Sequence, residues 1–252
     1  MKFCRFVYKG RVELGVIEGD RIGRRDGEMI GASRPTGDYV GRGEVDLLTP
    51  LVPGKIIGIG RNYAEHAREL GNEPPDAEPL IFLKPPSSIL APGKPILRPA
   101  ISQRVDHEGE LGVVIGRVAR NLGRDENPLD YVFGYCCVND VTARDLQKKD
   151  VQFTRAKGFD TFCPFGPWVE TDLDPAGLTI ETRVNGQVRQ RGNTKDMIFP
   201  VPVLIRYLAG IMTLCPGDLI ATGTPAGVGP VVAGDTVEIE VGGIGILKNP
   251  VQ

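Results

Sequence analysis

At 252 residues the chain can form one large domain, or one large and one small, at about 150 residues per domain. With 41% hydrophobic and 25% charged residues it has an ordinary globular composition, which excludes global disorder, coiled coil and collagen. Thirty basic against 32 acidic residues leave a formal charge of −2, without the basic excess that a nucleic-acid surface requires.

Thirty-three glycines and 21 prolines favour many short strands over long helices. No stretch approaches the roughly 18 apolar residues of a membrane span, and the opening MKFCRFVYKGRVELG lacks the apolar run of a signal peptide. A cytoplasmic enzyme or binding protein, without nucleic-acid or membrane partners, is expected. Cys4, Cys136, Cys137, Cys163 and Cys215 form an odd set with no C-x-x-C pair. They read as reduced packing residues rather than a zinc site or a disulfide framework.

In chain order, strand-like runs Lys2 to Val7 and Val12 to Ile17 flank Tyr8-Lys9-Gly10-Arg11, a hairpin turn. A polar, glycine-rich stretch from Asp20 to Glu44 holds too few periodic apolar residues for a core of its own. Residues 1–50 therefore read as a small β-rich N-terminal domain and 51–252 as the main domain. The main body opens with a buried strand at Lys55 to Ile59, and Gly60 to Gly71 reads as a short helix closed by glycine. A proline-rich connection, Pro74 to Pro99, contains Ile81-Phe82-Leu83-Lys84.

His107 to Ile115 suits a strand with Leu111, Val113 and Ile115 on one face and Glu108, Glu110 and Gly112 on the other. His107 points to the apolar-rich face, which suits a structural role. Tyr135 to Val138 reads as a strand, and Asn139 to Gln147 as a turn into a helix with a good N-cap residue. Asn185-Gly186 signals a type I′ hairpin. Val201, Leu204, Ile205 and Leu208 mark one helix face, and Val237, Ile239 and Val241 a final strand. The fold class is mostly β with short helices.

Three constellations carry chemistry. Glu108 and Glu110 lie about 6.8 Å apart along one strand face. They form either a solvated pair or, with Asp140, a cluster in which each like-charged pair at about 4 Å costs about 4 kcal/mol and so needs a cation or a proton. All-oxygen ligation by three carboxylates suits magnesium or manganese; backbone carbonyls joining in would admit calcium. His66 and Glu69, at i and i+3, form either a solvated pair or a general base oriented by a carboxylate. Thr222 to Gly229 is either a plain turn or an anion-binding nest. Gly58-Ile59-Gly60 fails as a dinucleotide fingerprint because Tyr63 stands where the third glycine belongs.

GRNYAEHARELG, FLKPPSS, DHEGELGVVIG, VNDVTARDLQ, AKGFDTFCPFGPWV, NTKDMIFPV and LCPGDLIATGTPAGVGP, in this order, together resemble the fumarylacetoacetate hydrolase family. The resemblance implies a mixed β-sandwich roll, a homodimer, and one magnesium or manganese ion per subunit held by Glu108, Glu110 and Asp140. It implies Lys157 facing substrate, a His66–Glu69 dyad on a lid, and Arg61, Arg144, Gln147 and Thr224 as substrate-binding residues. The implied substrate is a small 2-oxo acid chelated through its carboxylate and keto oxygen, so that cleavage, CO2 loss or C3 deprotonation all generate a metal-stabilised enolate. The favoured activity is C–C hydrolysis of an acylpyruvate. An isomerase or decarboxylase of 2-hydroxy-dienoic or 2-oxo acids in aromatic catabolism is the alternative, such as 2-hydroxyhepta-2,4-diene-1,7-dioate isomerase or oxaloacetate decarboxylase. A non-catalytic, metal-dependent oxo-acid-binding protein is the reading from a different class.

Overall fold

Alternation in the strand Gly109–Ile115 supplies both faces of the central sheet. Leu111, Val113 and Ile115 enter the larger core, while Val114 packs on the opposite side with Ile56, Val138, Phe165 and Leu219. Each fully buried aliphatic side chain of this kind contributes about 1.5–3 kcal/mol. The computed structural model describes residues 1–75 and 77–252.

The long sheet runs Ser33–Gly41, Arg21–Gly27, Arg11–Glu18, Lys2–Tyr8, Cys163–Glu170, Val132–Asn139, Gly109–Ile115, Leu219–Ala221, Ile56–Gly60, Leu80–Lys84. Neighbours along it are antiparallel except Leu219–Ala221 with Ile56–Gly60. A four-stranded sheet, Gln187–Asn193, Thr179–Val184, Thr236–Val241 and Gly245–Pro250, packs on the face that carries Leu111. The strands Thr142–Ala143, Val105–His107 and Gly229–Pro230 form a third, small sheet at the side of the cavity described below. No helix among the described residues is long and apolar enough to cross a membrane.

Both hairpins expected from the sequence form by the same backbone device. Lys9 and Gly10 have φ of 47° and 76°, and Asn185 and Gly186 have 54° and 76°. Such two-residue turns match the right-handed twist of the strands they join. Val201–Ile211 is a helix with Val201, Leu204, Ile205 and Leu208 buried, as the sequence periodicity requires.

Four features differ from the sequence reading. The stretch Asp20 to Glu44 contains two full strands, Arg21–Gly27 and Ser33–Gly41. Only Ile22 and Val40 of these are buried, so apolar alternation is nearly absent, and the ladders of Arg21–Gly27 to Arg11–Glu18 and of Ser33–Gly41 to Arg21–Gly27 define them instead. The strand Lys2–Tyr8 also pairs with Cys163–Glu170, making residues 2–41 a continuation of the main sheet. The expected N-cap is absent: the helix begins only at Arg144, after Ala143, with no side-chain cap, and Asn139 Oδ1 instead accepts from Glu108 N at 3.0 Å. Of the cysteines, Cys215 is exposed rather than packed. The other four are buried, and burial pushes the thiols of Cys4, Cys137 and Cys163 up to about 12.

Candidate active site

The acidic cluster is assembled by strand pairing. Gly109 lies opposite Asn139 in the antiparallel ladder, so Asp140, one residue beyond, arrives beside Glu108 and donates its N–H to Glu108 O at 2.9 Å. Glu108, Glu110 and Asp140 are all buried, with ligand oxygens within 4.8 Å of one another. Gly109 separates the two glutamates because its other face meets the four-stranded sheet. A Cβ there would lie 2.1 Å from Thr182 Oγ1, closer than any side chain tolerates.

Fixed donors surround these carboxylates. Arg104 and Arg144 both pair with Asp106, and Arg144 reaches on to Glu108 Oε1. Lys157 Nζ bridges Glu108 Oε2 at 2.7 Å and Asp140 Oδ2, and Lys84 Nζ holds Asp140 Oδ1 at 2.6 Å. Among the described residues, Glu110 receives only the Gly223 N–H, on Oε2, at 2.8 Å. The consequences differ along the row. Burial raises the Glu108 pKa, but Lys157 and Arg144 outweigh it, so its carboxyl is held well below the usual range. Burial and the repulsion of Asp140 and Glu108 push Glu110 well above it. Three buried carboxylates, one of them raised by its neighbours, form a hard all-oxygen donor set that fits a divalent cation such as magnesium or manganese.

The short helix that carries His66 follows from a local break in the backbone. Arg61 has φ of 56°, a left-handed conformation rare outside glycine, and Tyr63 is extended. The helix expected from Gly60 is therefore confined to Ala64–Glu69 and ends before Gly71 at φ of 73°. Asn62 anchors the entry: its Nδ2 donates to Thr222 O at 2.7 Å and Phe199 O at 3.1 Å, and its Oδ1 accepts from Phe199 N at 2.8 Å. On the helix, His66 Nδ1 faces Glu69 Oε2 at 3.4 Å, and Glu69 accepts the Gly227 N–H at 3.1 Å. Burial lowers the His66 pKa against the opposing pull of Glu108, leaving a neutral imidazole near neutral pH.

All ten site residues named from the sequence line one cavity of about 500 Å³. His66, Glu69, the three carboxylates and Lys157 line it together with Arg144 and Gln147 of the helix Arg144–Lys149. Arg144 Nη1 donates to Gln147 Oε1 at 2.6 Å. Thr224 Oγ1 spends its proton on Gly109 O at 2.8 Å and accepts from Gln190 Nε2 at 2.7 Å. Its hydroxyl therefore anchors the loop and has one lone pair left.

The sequence reading missed Lys84, Arg104, Asp106 and Gln190. Asp106 shares the alternation of Glu108 and Glu110, and Lys84 ends an apolar run immediately before two prolines; both were available signals. Gln190 had none, because a glutamine in a polar hairpin strand looks like any solvated residue. His107 is buried, with Nδ1 3.2 Å from Gln190 Oε1.

Residues 55–252 match the family described as Fumarylacetoacetate (FAA) hydrolase C-terminal. The chain belongs to the fumarylacetoacetate hydrolase family. Residues 1–50 match a second family, Rv2993c-like, N-terminal. Among relatives within the hydrolase family, the mitochondrial oxaloacetate decarboxylase of Dictyostelium discoideum is 47% identical over 197 residues, 75% of this chain and 89% of that protein. The oxaloacetate tautomerase YisK of Bacillus subtilis is 40% identical over 255 residues, covering 94% and 84% of the two chains. The crystal structure of 2-hydroxyhepta-2,4-diene-1,7-dioate isomerase from Mycobacterium marinum superposes with a TM-score of 0.91 at 42% identity, covering 100% of this chain and 98% of that one. Family members bearing this fold are thus named for more than one reaction.

Proposed function

We propose that this protein is a divalent-metal-dependent enzyme that transfers a proton at the carbon beside the keto group of a short 2-oxo dicarboxylic acid. Oxaloacetate is the simplest substrate of that class, and keto–enol tautomerisation the reaction. The observation that carries this reading is charge. Lys84, Arg104, Arg144 and Lys157 balance Asp106, Glu108, Glu110 and Asp140 one for one. Seven of these eight side chains are buried, Arg104 alone being about half exposed. With Glu110 ionised, a divalent ion would add two positive charges to the row and a dianionic substrate would restore neutrality, where an uncompensated buried charge would be costly. Arg61 and Lys148, also on the cavity wall, favour the same sign of ligand.

Glu108, Glu110 and Asp140 would hold the ion, which would supply Lewis acidity toward a keto oxygen. The chain supplies the rest. His66, neutral through burial and with Nδ1 turned to Glu69, keeps Nε2 as the base that takes the proton from C3 and returns it. Lys157 presents an ammonium to the developing enolate oxygen, and Arg144 with Gln147 orients the carboxylates. The names of two relatives above, an oxaloacetate tautomerase and an oxaloacetate decarboxylase, support this substrate class. Loss of CO2 from the same electron arrangement is the neighbouring reaction.

Hydrolysis of a C–C bond in an acylpyruvate is the second reading. A cavity of about 500 Å³ has room beyond a four-carbon acid for a longer chain and a water on the His66 side, and the same dyad would activate that water. The test presents enol-oxaloacetate, keto-oxaloacetate and acetylpyruvate to the protein with magnesium or manganese. Faster loss of the enol absorbance, abolished by EDTA and restored by metal, is expected. Acetylpyruvate cleavage without any acceleration of enol–keto conversion would replace the first reading with the second.

A further inference from the structure

Each carboxylate of the triad has one oxygen committed to a donor of the surrounding fold. Glu108 Oε1 is taken by Arg144, Glu110 Oε2 by the Gly223 N–H at 2.8 Å, and Asp140 Oδ1 by Lys84 Nζ at 2.6 Å. The remaining oxygens are Glu108 Oε2 and Asp140 Oδ2, both touched by Lys157 Nζ, and Glu110 Oε1, which has no hydrogen-bond partner among the described residues. None of the three residues is left with two unbonded oxygens, so bidentate ligation is disfavoured at each, and Lys157 lies on the side of Glu108 and Asp140 away from Arg144 and Lys84.

Lys84 is the least expected of the three donors. It ends the strand Leu80–Lys84 with its side chain fully buried. Among the described residues its only other acceptor is Val141 O at 3.4 Å, and Lys84 is not among those lining the cavity. A buried ammonium is costly unless its hydrogen bonds hold it, so an aspartate contact away from the substrate space calls for a role of its own.

We propose that Lys84 is a positioning residue that makes Asp140 a one-oxygen ligand and so sets the metal preference of the site. This rests on the reading that the triad holds a divalent ion. Three single oxygens suit a small ion with near-octahedral geometry, such as magnesium or manganese. Calcium takes six to eight oxygens and favours carboxylates free to chelate with both. Releasing Asp140 Oδ1 lets the carboxylate turn and offer both oxygens, which favours the larger ion.

The test titrates wild type, Lys84→Met and Lys84→Arg with manganese, read by the signal of free Mn2+ in electron paramagnetic resonance, and with calcium by competition. Removing a positive charge shifts both ions alike, so the ratio of affinities isolates the geometric effect. Wild type and Lys84→Arg are expected to prefer manganese, and Lys84→Met to lose that preference by at least about tenfold, the scale on which groups behind metal ligands act. Equal shifts for both ions in Lys84→Met would overturn the proposal. If Lys84→Met does not fold by circular dichroism, manganese-soaked wild-type crystals decide: Asp140 bound through Oδ2 alone, with Lys84 still on Oδ1, supports it, and two-oxygen ligation overturns it. Wild type that binds no manganese would instead remove the metal reading on which the proposal rests.

Discussion

Gln190 Nε2 donates to Thr224 Oγ1 at 2.7 Å, fastening the loop above the cavity to a strand of the four-stranded sheet. The same amide donates to Pro225 O at 2.8 Å, and its Oε1 accepts the Gly109 N–H at 3.0 Å beside His107. One fully buried side chain thereby joins the loop, the acidic strand and the second sheet. Leaving a buried polar group unpaired costs about 1–3 kcal/mol, so Gln190→Leu is expected to destabilise by at least about 2 kcal/mol. In a chain of this size that is a fall in Tm of roughly 4–8 °C, read in a thermal melt, together with a raised KM as Thr224 and its loop shift.

His66→Asn removes the base while leaving the triad, Lys157 and Arg144 in place. General base catalysis contributes about 10²–10⁴-fold, so kcat for tautomerisation falls by that factor and manganese affinity stays near wild type. Exchange of C3 protons for solvent deuterium, followed by NMR with metal present, measures the step directly. Undiminished exchange would remove His66 from the reaction.

The lowered His66 pKa has a defined sign in a pH profile. Catalysis by the neutral imidazole rises with pH, and the acid limb of kcat/KM lies below the ordinary histidine value of about 6.5. Stability moves in the same direction. Burial lowers both His66 and His107, so below about pH 6.5 the unfolded chain binds protons that the folded chain does not. Their contribution is complete above that pH and is lost as pH falls through the lowered folded values. Urea unfolding at stepped pH tests this, and His66→Asn should remove the histidine limb of kcat/KM from whatever activity remains.

Gly223 is tied to its residue type twice over. Its φ is 97°, and a Cβ would lie 2.6 Å from Asn62 Cβ. Gly223→Ala is expected to cost about 1–3 kcal/mol from the backbone conformation alone. It also displaces the N–H that holds Glu110 Oε2, so manganese binding weakens alongside the fall in Tm. A variant with wild-type Tm and wild-type manganese affinity would show that neither constraint operates.

The legible parts of the site were those that chemistry or spacing marks within a few residues. Glu108-Gly109-Glu110 announces itself by period two, and His66 with Glu69 by helical spacing. Asp140 could be joined to them only as a third carboxylate at a strand end, until the ladder register of Gly109 against Asn139 made them neighbours. The strands between residues 21 and 41 were hidden because an edge ladder can be held by backbone pairing with almost no buried side chains. The cap expected between Asn139 and Gln147 is missing because the Asn139 side chain serves a backbone N–H 31 positions away and Ala143 precedes the helix.

By itself the sequence determined what is written in local rules: two tight hairpins, an apolar alternation with carboxylates on its polar parity, a helix face of Val201, Leu204, Ile205 and Leu208, and the residue types of a hard-metal site. Tertiary structure decided which oxygen of each carboxylate is committed and to whom. Lys84 meets Asp140 across 56 positions and Gln190 meets Thr224 across 34. Backbone propensity and side-chain periodicity act over one or two turns of chain, whereas these contacts exist only once the ladders have closed. Their energy comes from burial and pairing, which no short window of residues contains.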